Sequence, residues 1–174
     1  MKTDREELVG IFSKEEITDF SELKKKWEEI KKRLKEKELK KVAEDLEDKL
    51  KNHDIKKKKL IFLSETPEKV LSTAWFLAGL LILKDLKRSQ IRKILNMMKD
   101  IKRKEPKIEE ELKKDIAKIR YLLAYAAGRN KNVEPLHSVF DPLFAEIKDF
   151  NDFEKVYEFM QSIVAFHYFL GGEE

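Results

Sequence analysis

The sequence predicts an all-α protein: a compact bundle of about five helices over residues 66–174, preceded by a charged helical extension over residues 1–65. Three observations carry this reading. Apolar residues recur every three or four positions along most of the chain, the period of a helix with one buried face. Only five glycines and four prolines punctuate 174 residues, too few turn formers for a β architecture. Apolar and charged residues each account for 41%, which divides the chain between core-facing and solvated faces and leaves little for loops.

Taken in order, residues 1–18 are weakly patterned and are expected to be only partly ordered. Asp19 or Ser21 caps a long helix running to about Leu50, with Leu23, Trp27, Ile30, Leu34, Leu39, Val42, Leu46 and Leu50 as its apolar positions. The stripe is near-heptad and slips once around Lys35–Glu38. It suits either an arm packed along the main body or a coiled-coil-like surface for another chain, and the spacing leaves both open. Asn52-His53-Asp54 breaks the helix, and Lys56–Lys59 is a solvated basic run.

Thr66 caps the next helix, with Pro67 at its first position. This helix runs to about Lys84 and is apolar nearly all round, which places it at the centre of the core. Its apolar run, Val70–Leu83, is about one turn too short to span a bilayer. A helix from about Ser89 to Lys104 turns Ile91, Ile94, Leu95, Met98 and Ile101 inward. Pro106 opens another, with Ile108, Leu112, Ile116, Ile119 and Leu123 apolar and Gly128 as the residue that ends it. Pro135 and Pro142 cut the following stretch into short pieces around Leu136–Phe140 and Leu143–Ile147. The last helix begins near Asp152, has almost no polar face, and stops at Gly171-Gly172.

Composition narrows the chemistry. There is no cysteine, hence no disulfide, thiolate nucleophile or cysteine-bound zinc. His53, His137 and His167 lack a second histidine three or four residues on, so no helical metal pair forms. No phosphate loop or nucleophile elbow is present. Glu109, Glu110 and Glu111 open a helix, where they complement its dipole. His167 is expected to be a packed neighbour of Tyr157 and Phe169 rather than a base. These features predict a protein that is not an enzyme and needs no cofactor. Met1–Glu7 is polar where a secretory signal would be apolar, which predicts a cytoplasmic protein without membrane attachment.

The charge distribution is more telling. Residues 1–85 carry 21 basic and 19 acidic side chains, net +2; residues 86–129 carry 14 and 6, net +8; residues 130–174 carry 3 and 9, net −6. A basic middle suits a polyanion and an acidic end suits a basic neighbour. Within the basic segment Arg88, Arg92, Asn96, Lys99 and Arg103 fall within roughly an 80° arc of one helix. Lys114, Lys118, Tyr121 and Tyr125 make a second stripe, with Arg129 one turn further. Cations mixed with tyrosines suit a nucleic acid, whose phosphates meet the charges and whose bases stack on the rings. A plainly solvated helix surface accounts for either stripe alone.

Three runs occur in order: Leu86-Lys-Arg-Ser-Gln-Ile-Arg-Lys-Ile-Leu95, Arg120-Tyr-Leu-Leu-Ala-Tyr-Ala-Ala-Gly-Arg129 and Ile163-Val-Ala-Phe-His-Tyr-Phe-Leu-Gly-Gly172. Together they resemble the small helical subunit of type III-A CRISPR effector complexes, the Csm complexes, over about residues 66–172. The family patterns are Leu-Thr-Thr-Ser-Gln-Ile-Arg, Tyr-x-Ala-Gly-Arg and Val-Ala-Tyr-His-Lys-Phe-x-Gly-Gly. Here Lys87 and Arg88 replace the two threonines, Phe166 the tyrosine and Tyr168 the lysine. The first ~65 residues have no counterpart in the motifs.

The resemblance implies a non-catalytic subunit of an antiviral ribonucleoprotein, present in several copies that stack into an inner filament along guide RNA and target RNA. It implies as partners those RNAs, other subunits of the complex and neighbouring copies of itself. By matching position, it implies RNA contacts from Gln90, Arg92, Lys93, Arg120, Tyr125 and Arg129. The charge stripes add Arg88, Lys99 and Lys118. The last motif is expected to be structural. Two other readings stand beside this one: a helical scaffold or adaptor that binds acidic proteins without nucleic acid, and the equivalent small subunit of a related type III complex.

Overall fold

The computed structural model describes residues 1–104 and 108–172, and over these the chain is helical without a strand. The elements are α1 (Asp4–Phe12), α2 (Phe20–Arg33), α3 (Glu36–Lys51), α4 (Asp54–Lys58), a 3-10 segment (Lys59–Ser64), α5 (Pro67–Leu83), α6 (Arg88–Lys104), α7 (Glu109–Arg129), a 3-10 turn (Lys131–Val133), α8 (Glu134–Glu146) and α9 (Phe150–Phe169). α5 is buried from Ser72 to Leu81 and packs most extensively against α9, which also carries α6. Thr66 caps α5 through its hydroxyl and Pro67 occupies the first turn, as the sequence predicts.

The N-terminal region differs most from expectation. Residues 4–12 form a helix capped by Thr3, and Leu8, Ile11 and Phe12 are buried. The expected long helix is two helices, capped by Asp19 and broken where Leu34 and Lys35 become extended. That break sits where the apolar stripe slips. A straight helix would rotate the second half of the stripe away from the body, and the break lets both halves face it. Of the two roles open for the stripe, packing along the body is the one seen. Trp27 Nε1 donates to Leu170 O at 3.2 Å, Trp75 Nε1 donates to Ile11 O at 3.1 Å, and Ile17 N–H donates to Ser72 Oγ at 3.0 Å. The Phe12 ring lies edge-on to Trp27 and passes across Gly79, where an added Cβ would come within 2.3 Å of the ring. Glycine is needed there for close approach.

Further differences concern prolines and helix ends. Pro142 lies inside α8 rather than dividing it. A proline supplies no N–H to the carbonyl four residues back, here Ser138 O. Lys56 Nζ donates to that same oxygen at 2.7 Å, replacing the lost bond. Lys56 is therefore part of the fold, not of a freely solvated run. Gly128 is within α7, which ends one residue later with Asn130 as its cap. Pro106, expected to open this helix, lies outside the described residues. α9 starts two residues before the expected Asp152, because Asp149 accepts from Asp152 N–H at 2.8 Å. It ends as expected: Gly171 has φ +86°, Gly171 N–H donates to Tyr168 O and Gly172 N–H to His167 O. That pair of bonds is a Schellman end, which needs the left-handed conformation glycine adopts without strain.

Candidate nucleic-acid interface

The first and third sequence motifs meet at one place. Leu86 is buried at the turn before α6, and His167 of α9 reaches its carbonyl at 2.9 Å through Nε2. A carbonyl only accepts, so Nε2 carries the proton and Nδ1, buried without a partner, does not. Burial holds the His167 pKa below its ordinary 6.5, and nearby Arg88 pushes the same way. Gly172 lies flat against this ring, where a Cβ would come within 2.1 Å. His167 is thus packed, as expected, but between Leu86 and Gly172 and not against Tyr157.

One residue along, Tyr168 turns its ring to α6. The Arg88 guanidinium lies 4.1 Å from the ring centroid and that of Arg92 5.2 Å. Arg88 is half-buried, with its Nε enclosed and unpartnered, while Arg92, Asn96, Lys99 and Arg103 are exposed along the same arc. Arg103 pairs with Asp100 at 2.9 Å. Lys93 is exposed but lies about 100° round the helix from Arg92, outside the stripe. Gln90 is engaged in the helix start: its Oε1 accepts from Lys87 N–H at 3.1 Å, one half of a capping box.

On α7, Leu112, Ile116, Ile119 and Leu123 are buried, and Lys114, Lys118, Tyr121, Tyr125 and Arg129 are all exposed on the opposite side. From Lys114 to Arg129 the stripe runs roughly 22 Å at 1.5 Å per residue. Tyr121 and Tyr125 are 61% and 62% exposed, so neither is a half-packed core residue. Arg129 Nη1 donates to Tyr125 Oη at 3.4 Å. Arg120 is placed differently. It lies about 200° from Lys118 and holds Asp141 of α8 through bonds of 2.8 and 3.2 Å. This pairing, with the hydrogen bond as its largest part, keeps the Asp141 carboxyl below the usual carboxylate range. Arg120 thus ties α7 to α8.

The structure therefore joins Arg88 to Arg92, and Tyr125 to Arg129, leaves Lys93, Lys99 and Lys118 singly exposed, and gives Gln90 and Arg120 partners of their own. Among the described residues, none of Arg92, Lys93, Lys99, Lys114, Lys118 or Arg129 pairs with a carboxylate. Tyr168 is the residue sequence reasoning missed, having been assigned to a structural motif. Its signal was the paired departure from the family pattern: a cation gained at 88 and one lost at 168. Glu154, in the acidic end, pairs with Lys102 of its own chain. Among the described residues no group of three or more His, Asp or Glu is placed to hold a metal, and no helix is long and apolar enough to cross a membrane.

A family model described as Csm2 Type III-A matches residues 64–173. No curated protein matches the chain.

Proposed function

The chain belongs to the Csm2 Type III-A family, the small Csm subunit of the type III-A CRISPR complex, and from that membership we propose that it binds the guide and target RNA through their phosphate backbone, without catalysis. The observation that carries this is the pair of exposed stripes on α6 and α7, whose cations, Arg103 apart, have no carboxylate partners inside a segment of net charge +8. Unmatched cations on rigid helices attract phosphates without reading sequence. Arg92, Lys99, Lys118 and Arg129 would touch the backbone, with Tyr125 against bases or sugars. Lys93 would reach a strand from the flank of α6. Gln90 and Arg120 would act indirectly, by shaping the start of α6 and fixing α7 on α8.

In this reading residues 66–174 are the RNA-binding unit and residues 1–65 its structural support. Neighbouring copies stack along the RNA in the cytoplasm, and the chemistry of interference belongs to other subunits. The exposed tyrosines also favour a protein surface, since aromatic residues are enriched at interfaces. An adaptor for acidic proteins is accordingly the rival.

The test is fluorescence anisotropy of a labelled ~30-nucleotide RNA in ~50 and ~200 mM salt, for wild type and Arg92→Glu/Arg129→Glu. The proposal expects binding that weakens steeply with salt and is lost in the variant at every RNA sequence alike. A loss confined to some sequences would contradict backbone recognition. RNA-independent, salt-sensitive capture of an acidic partner subunit, with equal RNA binding by both proteins, would favour the adaptor.

A further inference from the structure

Two guanidinium groups sit over one tyrosine ring, which leaves two positive charges side by side with no carboxylate among the described residues to pair with them. Arg88 and Arg92 are one helical turn apart and both approach Tyr168, at 4.1 and 5.2 Å. The ring's electron-rich face attracts each cation but cannot neutralise two, and like charges at this spacing repel. Among the described residues no carboxylate pairs with either arginine. Arg88 also has an enclosed Nε–H with no acceptor, a donor left unsatisfied by the protein itself.

The surroundings are rigid. Tyr168 lies in the last turn of α9, closed by the Schellman bonds of Gly171 and Gly172 and tied to the entry of α6 by the His167–Leu86 hydrogen bond. The cost of ordering two long side chains is therefore met largely in the folded protein and not at the moment of binding. Arginine presents planar N–H donors that match phosphate oxygens, and the first turn of α6 adds its own positive dipole end. Lys99 and Lys118, by contrast, are single flexible charges.

We propose that Arg88 and Arg92, held in place by the ring of Tyr168, form one preorganised anchor that takes a single phosphodiester of the bound RNA, with Tyr168 as the positioning residue. This rests on the RNA-backbone reading above. It gives the third motif a part in binding and makes one phosphate a fixed point from which the rest of the strand takes its register.

The experiment measures affinity and salt slope for the full chain on a labelled ~30-nucleotide RNA, comparing wild type with Tyr168→Phe, Tyr168→Leu and Arg88→Gln. Phenylalanine keeps the ring and should bind as wild type does. Leucine should weaken binding roughly five- to thirty-fold, the worth of two cation–π contacts, and lower the salt slope by about one phosphate. Arg88→Gln leaves the ring in place and should weaken binding similarly, which keeps the test valid even if Tyr168→Leu folds poorly. In an Arg92→Glu background Tyr168→Leu should add little, because the pair is already broken. Wild-type affinity and slope in Arg88→Gln, or in well-folded Tyr168→Leu, would overturn the anchor alone. Failure of wild type to bind RNA would overturn the RNA reading and the anchor with it.

Discussion

Residues 1–65 and residues 86–129 are both rich in lysine and arginine, yet the first region is nearly balanced by carboxylates and the second is not. In the first region 19 basic side chains sit among 17 acidic ones, and several of them pair directly. Arg5 holds Asp45 at 2.8 Å, Arg33 holds Asp4 at 3.1 Å, and Lys26 and Lys40 pair with Glu22 and Glu36 one turn back. Lys58 pairs with Glu65, and Lys56 serves the carbonyl that Pro142 leaves open. The helices that carry these charges turn Phe12, Leu23, Trp27 and Ile30 onto the body. In the second region most stripe cations face solvent without a carboxylate. Lysine and arginine content therefore does not distinguish the two regions; the excess of cations over carboxylates does.

The first way to break this comparison is to detach the N-terminal region. Trp27 is 2% exposed and bonded to Leu170 O, so Trp27→Ala should cost about 3–5 kcal/mol of stability in equilibrium denaturation. RNA affinity of the protein that remains folded should be unchanged; a selective loss of affinity would mean that the region contributes to the interface.

A second test asks whether Lys56 belongs to the fold. Lys56→Met should destabilise by about 1–3 kcal/mol, because Ser138 O then loses the donor that replaces the missing N–H. Pro142→Ala should reduce that penalty by restoring an N–H four residues on, and a double-mutant cycle reads the coupling. Additive effects would show that the lysine and the proline act independently.

Acid should sharpen the contrast between packed and exposed groups. Burial lowers the pKa of His53 and of His167 from the ordinary 6.5. A histidine with a depressed folded pKa takes up more protons when unfolded, so its contribution is full above pH 6.5 and is lost as the pH falls below it. Thermal midpoints should drop between pH 7 and pH 5.5, and less so in His167→Gln measured against its own midpoint at pH 7. The smallest effect concerns the matched surface pairs: Lys26→Glu and Lys40→Glu should each cost no more than ~1 kcal/mol.

What could be seen in the sequence follows from how local each signal is. Thr66-Pro67, the buried faces of α6 and α7 and the glycine stop of α9 are set within a few residues, and all stand where the periodicity puts them. The α1 helix was hidden because its burial depends on Trp75, Gly79 and Trp27, far along the chain. Pro142 misled for the same reason, since the lysine that compensates for it lies 82 residues from the carbonyl it serves, in the opposite region. On the candidate surface, the periodicity of α7 already separates Arg120 from Lys118, Tyr125 and Arg129, and only the motif grouped them. The meeting of Arg88 and Tyr168 could not be read from spacing, because it joins two helices.

The central claim is that the excess charge on the α6 and α7 stripes, not lysine content, carries RNA binding. It is tested most directly by two variants of equal charge change, Lys26→Glu/Lys40→Glu and Arg92→Glu/Arg129→Glu, titrated side by side against the same labelled RNA at several salt concentrations. The account predicts that the first keeps close to wild-type affinity and slope. The second should lose affinity roughly a hundredfold and its slope should fall by about 0.7–0.9 for each phosphate contact removed. Equal losses in both variants would mean that net charge alone drives binding, and would contradict the account.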